Sequence, residues 1–236
     1  MPPQPLSTQT RRRRRAAQVE LPLHGWGGAR VGAGRKRSGP RPCVPHVARP
    51  EHQARHPVHL TLRAVQRLPS LRKQTLFLEI RRAFALCSGR LFRVVHFSVQ
   101  ADHVHLLVEA EDKKALSRGA RGLAIRLARK VNGVLHRRGC VWGDRYHARP
   151  LSTPREVRHA IVYVLMNWKK HVPGAQGRDP CASAAWFDGW RKAERPRRML
   201  ASSTDPPPVV PSRTWLGSMG WRRYGLIGWR ERPARP

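Results

Sequence analysis

The order of elements in this 236-residue chain predicts an α+β fold: a ferredoxin-like antiparallel sheet with helices on one side, flanked by disordered basic tails. Three observations carry that prediction. Between residues 57 and 190 the hydrophobic pattern alternates between strand and helix periods in the order strand, helix, strand, strand, helix, strand, helix. The two adjacent strands are joined only by Gln100-Ala101-Asp102, a link short enough to imply an antiparallel hairpin. Outside those limits the chain turns to Arg, Pro, Gly and Ser, which bury too little apolar surface to offset the entropy of ordering. The expected organisation is therefore a disordered basic arm at 1–56, a folded domain at 57–190, and a basic, Pro-rich, largely disordered tail at 191–236.

Each element has a local reason. Val58-His59-Leu60-Thr61-Leu62-Arg63-Ala64-Val65 alternates apolar and polar residues, as a half-buried strand does. From Lys73 to Cys87, residues Leu76, Phe77, Ile80, Phe84 and Ala85 fall at helical spacing, and Ser88-Gly89 ends the run. Leu91 to Val99 is strand-like again, with Leu91, Arg93, Val95, Phe97 and Val99 expected on one face. The strand His103–Ala110 follows. Asp112 or Ser117 is placed to cap a helix with Leu116, Leu123, Ile125, Leu127, Val131 and Leu135 on its apolar side, ending near Gly139. Its other face carries Arg118, Arg121, Arg126, Arg129 and Lys130. Val141 to Leu151 is extended and contains Trp142, Tyr146 and His147. Ser152-Thr153-Pro154-Arg155-Glu156 is a strong helix start, with Thr153 as N-cap and proline at the first helical position. That helix is expected to run to about His171, before Val172-Pro173-Gly174.

Charge narrows the partner. The formal net charge is +33, and the folded part carries much of it. Basic residues outnumber acidic ones 12 to 2 in 1–56, 24 to 9 in 57–190, and 11 to 3 in 191–236. A polyanion is the natural partner, and nucleic acid is the commonest. The same charge would suit a ribosomal-type structural protein. No apolar run is long enough to span a bilayer, and no apolar core follows the N-terminal arginines as secretion would require. Cys43, Cys87, Cys140 and Cys181 are scattered without a Cys-x-x-Cys pair, so neither a zinc site nor a disulfide framework is expected. These features point to an intracellular protein with reduced thiols.

Two elements carry candidate chemistry. His103 and His105 lie two apart on a strand, so they share one face while Val104 packs behind them, supplying two of the ligands of a divalent-metal site. On the last helix, Val157, Ala160, Ile161, Val164, Leu165 and Trp168 build an apolar side, while Glu156, His159, Tyr163, Asn167 and Lys170 follow at helical steps as a polar stripe. Tyr163 is the best placed of the three tyrosines for chemistry. Alone, each feature has a plainer reading: two hydrogen-bonded histidines, and an amphipathic tyrosine at the core edge. A histidine-triad hydrolase is excluded because the next alternate position is Leu107.

In order, Asp102-His103-Val104-His105-Leu106-Leu107-Val108, then Trp142-Gly143-Asp144-Arg145-Tyr146-His147, then Tyr163-Val164-Leu165-Met166-Asn167 resemble the REP-associated tyrosine transposases. These belong to the single-tyrosine HUH endonuclease superfamily, and the resemblance spans about residues 57–190. It implies that His103 and His105 bind Mg²⁺ or Mn²⁺, with Asn167 as a further ligand. It implies that Tyr163 attacks single-stranded DNA next to hairpin or palindromic elements, giving a 5′-phosphotyrosine intermediate that can be rejoined. Many members continue Pro-Val-Arg after this Asn, where this chain has Trp168-Lys169-Lys170. Arg121, Arg126, Arg129, Lys169 and Lys170 are candidates to hold phosphates, and Trp142 to stack on an unpaired base. Core packing is the equal alternative for Trp142. The resemblance further implies a cytoplasmic, nucleoid-associated bacterial protein with no membrane partner, and leaves a homodimer open. A second reading shares all of these features: a catalytically inactive DNA-hairpin-binding protein derived from a transposase.

Overall fold

The computed structural model describes residues 50–172, 174–191 and 206–233. The arm expected at 1–56 lies outside the described residues up to position 49, as do 192–205 and 234–236. Strands β1 (Val58–Arg63), β2 (Phe92–Val99), β3 (His103–Ala110) and β4 (His147–Pro150) form one sheet in the order β2-β3-β1-β4. All three pairings are antiparallel. With its helices, this is the ferredoxin-like α+β arrangement that the element order predicts.

Helices α1 (Gln74–Ala85) and α2 (Lys113–Val134) cover one face of the sheet. Val58, Leu60 and Leu62 of β1 and Val104, Leu106 and Val108 of β3 meet them there, every second residue of each strand. Asp112, rather than Ser117, caps α2, its Oδ1 accepting the Ala115 N–H at 2.6 Å. Gly119 lets α2 approach the sheet, because a Cβ at that position would lie 2.2 Å from the Phe92 ring.

Three expectations change. The first concerns β2. Val94 opposes Val108 but His96 opposes Leu107, so Val95 is the extra residue of a β-bulge. The core face is therefore Phe92, Val94, Phe97 and Val99, not the set containing Leu91, Arg93 and Val95. Strict alternation cannot anticipate that change of parity, and it leaves His96 turned toward Ser183 and Phe187.

The second concerns helix placement. Helix α3 (Pro154–Met166) begins as predicted, with a capping box in which Thr153 Oγ1 accepts the Glu156 N–H and Glu156 accepts the Thr153 N–H. It stops at Met166, and Asn167 separates it from the four-residue α4 (Trp168–His171). Val157, Ile161 and Leu165 of α3 pack with Leu107 of β3 in a second apolar cluster. Leu107 lies on the side of β3 opposite Leu106, so helices cover both faces and not one.

The third concerns the tail expected at 191–236. Residues 206–233 are packed onto the domain, with a short helix α5 (Trp215–Ser218) and a 3₁₀ turn (Gly220–Tyr224). Leu216, Trp221 and Ile227 join Phe187, Trp190 and the α3 residues in the second cluster. The average composition of this stretch conceals a few large apolar side chains. Several of its charges find partners: Arg222 pairs with Asp188, and Glu231 with Arg158 of α3.

Candidate active site

The antiparallel register of β1 and β3 builds the site. Thr61 opposes His105 and Arg63 opposes His103. Both histidines stand on the α3 side of the sheet, with Val104 buried in the opposite core, as the His-x-His spacing predicts. Their rings lie 4.6 Å apart, centroid to centroid, and nearly perpendicular. Tyr163 reaches them from α3, its ring 5.0 Å from that of His105 in an edge-on contact. The helix and the strand pair are thus brought together.

Each imidazole is held through Nδ1, which leaves Nε2 as the nitrogen not engaged by those partners. His103 Nδ1 donates to Asp102 Oδ1 at 2.7 Å, leaving Nε2 as the lone-pair nitrogen. Asp102 is in turn paired with Arg63 at 3.0 Å. His105 Nδ1 lies 3.1 Å from Thr61 Oγ1 and 3.2 Å from His59 Nε2, while its Nε2 is buried without a hydrogen bond. Burial, followed by the neighbouring charges of His103, His59, His171 and Lys170, pushes the His105 pKa down to about 2. That ring is neutral at every working pH, the state a metal ligand needs. His103 is also lowered, chiefly by burial, against the pull of Asp102.

Asn167 is 1 % exposed, and neither its Oδ1 nor its Nδ2 has a hydrogen-bond partner. A buried carboxamide with no partner is costly unless a ligand satisfies it. Its oxygen is of the donor type that could join His103 Nε2 and His105 Nε2 in holding Mg²⁺ or Mn²⁺. Among the described residues no group of three or more His, Cys, Asp or Glu side chains is placed to hold a metal ion.

Some neighbours were not singled out in the sequence. His59 places its ring 5.5 Å from Tyr163 and 5.2 Å from His105, and burial lowers its pKa to about 4. Its signal was present in the alternation of β1, where His59 and Thr61 occupy the polar positions. His171 lies 5.8 Å from His103, ring to ring, and only the turn after Asn167 brings it there. His159 is exposed, and the Glu156 carboxylate is bonded to Ser152, Thr153 and Arg149.

The candidate DNA contacts divide. Lys170 sits with its Nζ 4.6 Å from the Tyr163 ring centroid, inside the site. Lys169 bonds to the Trp229 carbonyl in the C-terminal segment. Arg121, Arg126 and Arg129 are exposed on α2, which packs on the sheet face opposite the histidines. Trp142 packs against the α1–α2 core and donates from Nε1 to the Ala124 carbonyl at 2.8 Å, so it serves as a packing residue of α2.

Residues 52–164 match the family model of IS200-like transposases. The matched span takes in β1, both histidines and Tyr163 and ends just before Asn167. A solved structure of a REP-associated tyrosine transposase bound to a REP hairpin is similar over 56 % of this chain and 78 % of that one, at 17 % identity and a TM-score of 0.46. No curated protein sequence matches the chain. Among the described residues no helix is long and apolar enough to cross a membrane.

Proposed function

We propose that this domain is a metal-dependent DNA transesterase that cleaves and rejoins single-stranded DNA next to hairpins, with Tyr163 as the nucleophile. The observation that carries the reading is the contact of the Tyr163 ring with His105, across two elements 58 residues apart in the chain. A phenol and two imidazoles meet on the α3 face of the sheet, where His105 Nε2 is buried without a partner, and the carboxamide of Asn167, four residues on from Tyr163, is likewise unsatisfied. That set serves phosphoryl transfer better than it serves packing, because it leaves buried polar atoms unpaired.

Attack forms a bond between the Tyr163 oxygen and phosphorus and breaks the bond to the 3′ oxygen. The phenol loses a proton and the 3′ oxygen gains one, leaving a 5′-phosphotyrosine and a free 3′-OH. Because one ester replaces another, the bond energy is kept and rejoining needs no nucleotide cofactor. His103, His105 and Asn167 would hold Mg²⁺ or Mn²⁺, which when bound polarises the scissile phosphate and stabilises charge on the leaving oxygen. Partial burial raises the Tyr163 pKa, so ionising the phenol requires help. Lys170 supplies a positive charge over the ring, which lowers the cost of the phenolate. Thr61 and Asp102 orient the two imidazoles. A tyrosine seated between a helix and a sheet cannot readily reach a phosphate within an intact duplex, which favours unpaired strands.

The test is a hairpin-flanked single-stranded oligonucleotide incubated with the protein and Mn²⁺, then resolved on a denaturing gel. Wild type should give a covalent protein–DNA adduct, and Tyr163→Phe should give none while binding the oligonucleotide with nearly unchanged affinity. An adduct that persists in Tyr163→Phe refutes the nucleophile. Binding with no adduct under any metal condition leaves the catalytically inactive hairpin binder as the reading that stands.

A further inference from the structure

The segment 206–233 lies beyond the span matched by the transposase family model, yet it builds a second charged feature at the far end of β3. Glu109 of β3 locks it in place. The Glu109 carboxylate accepts the backbone N–H groups of Arg213 and Thr214 and the hydroxyls of Ser212 and Thr214. This anchorage presents Arg213 and Trp215 beside a cavity of about 330 Å³, which Arg55, Arg90, Arg93 and Leu91 also line. Trp215 is 51 % exposed and Leu91 46 % exposed, so an indole and an isobutyl group face solvent among four guanidinium groups. Arg223 stacks on the Trp215 ring, its Cζ 4.8 Å from the centroid.

The charges there are only partly balanced from within: four arginines line the cavity beside two acids, and Arg93 lies 3.9 Å from Glu109. Of the two acids lining the cavity, Glu109 is taken up by the 212–214 backbone and hydroxyls, and Glu111 is exposed. Burial, followed by the adjoining charge of Arg213, makes Arg93 give up its proton more readily than usual. Like charges this close are relieved by an anion. A half-exposed indole, with Arg223 on its ring and further arginines beside it, is the chemistry that holds an unpaired base between phosphates.

We propose that Trp215, Arg90 and Arg213 form an auxiliary single-strand subsite, in which the indole stacks on an unpaired base and the two guanidiniums grip its flanking phosphates. It rests on nucleic acid being the partner, as read above, but not on the Tyr163 chemistry. Glu109 and His105 are four residues apart on the same side of β3, which puts the subsite's anchor about 13 Å along the strand from the histidine pair. A strand held there is tethered a few nucleotides from the site of attack. The C-terminal segment therefore extends the DNA-contacting surface.

The experiment measures fluorescence anisotropy of a labelled oligo-dT strand over a salt series, with full-length wild type, Trp215→Ala, Trp215→Phe and an Arg90→Ala/Arg213→Ala double variant. Trp215→Ala should weaken binding from about 5-fold to about 100-fold, and Trp215→Phe should restore most of it. The double variant should reduce the slope of log affinity against log salt by about 1.4, because two phosphates of a single strand are no longer neutralised. Unchanged thermal unfolding separates these effects from misfolding, which an exposed residue such as Trp215 should not cause. Wild-type affinity and slope in all variants would overturn the proposal. So would poly-glutamate competing as well as oligo-dT in wild type but not in Trp215→Ala, since that would make the surface a site for acidic polypeptides. Loss of oligo-dT binding in Trp215→Ala in a protein that forms no Tyr163 adduct would keep the subsite and refute only the chemistry.

Discussion

His96 offers a quantitative test of the fold on the α3 side of the sheet. It is turned to that side by the β2 bulge, is 8 % exposed, lies with Nδ1 3.3 Å from Ser183 Oγ, and meets Phe187 edge-on. Burial lowers its pKa from 6.5 to about 4, with Asp188 opposing weakly. The unfolded chain therefore binds a proton at this residue below pH 6.5, while the folded chain resists it down to about pH 4. Stability must fall as the pH drops through that window. At 1.36 kcal/mol per pKa unit, the loss attributable to His96 is about 2 kcal/mol at pH 5, reaches about 3 kcal/mol at pH 4 and levels off slightly above that. Urea unfolding at a series of pH values, for wild type and His96→Gln, isolates the effect. Gln is neutral throughout, so the two curves should converge by about 2 kcal/mol between pH 8 and pH 5, whatever the variant costs at pH 8. Parallel curves would show that His96 is solvated or already charged in the native state, and would refute the bulge-driven placement.

Further outcomes follow from the packing and the site. Trp221→Ala should destabilise the domain by about 3–5 kcal/mol in urea melts, since the indole is 1 % exposed and packs beside Phe187; a loss below about 1 kcal/mol would mean that the C-terminal segment is not part of the core. Asp102→Asn should weaken Mn²⁺ binding by about 10- to 100-fold in calorimetry, because His103 would lose the carboxylate that orients it; unchanged affinity would remove His103 from the ligand set. Chelation with EDTA should abolish adduct formation, and added Mn²⁺ should restore it; adduct formation in EDTA would refute the metal assignment. Thr153→Ala should cost about 1 kcal/mol through loss of the α3 cap, with no change in Mn²⁺ affinity.

Local signals along the chain determined the element order, the Thr153 cap, the shared face of His103 and His105, and the position of Tyr163 one turn before Asn167, and narrowed the α2 cap to Asp112 or Ser117. Each depends on neighbours within a turn of helix or a few residues of strand, where side-chain periodicity and capping chemistry act directly. Tertiary structure alone decided the rest. The Val95 bulge depends on what β3 presents opposite it. His59 enters the site only because β1 pairs with β3 in one register, 46 residues away in the chain. Helix α2, basic on its outer face, was free to lie on either side of the sheet until packing placed it opposite the histidines. Residues 206–233 look polar on average, and fold because Leu216, Trp221 and Ile227 find an apolar surface that α3 and residues 182–190 had left open. Burial is a property of the partner surface as much as of the residue, and that partner is distant in sequence.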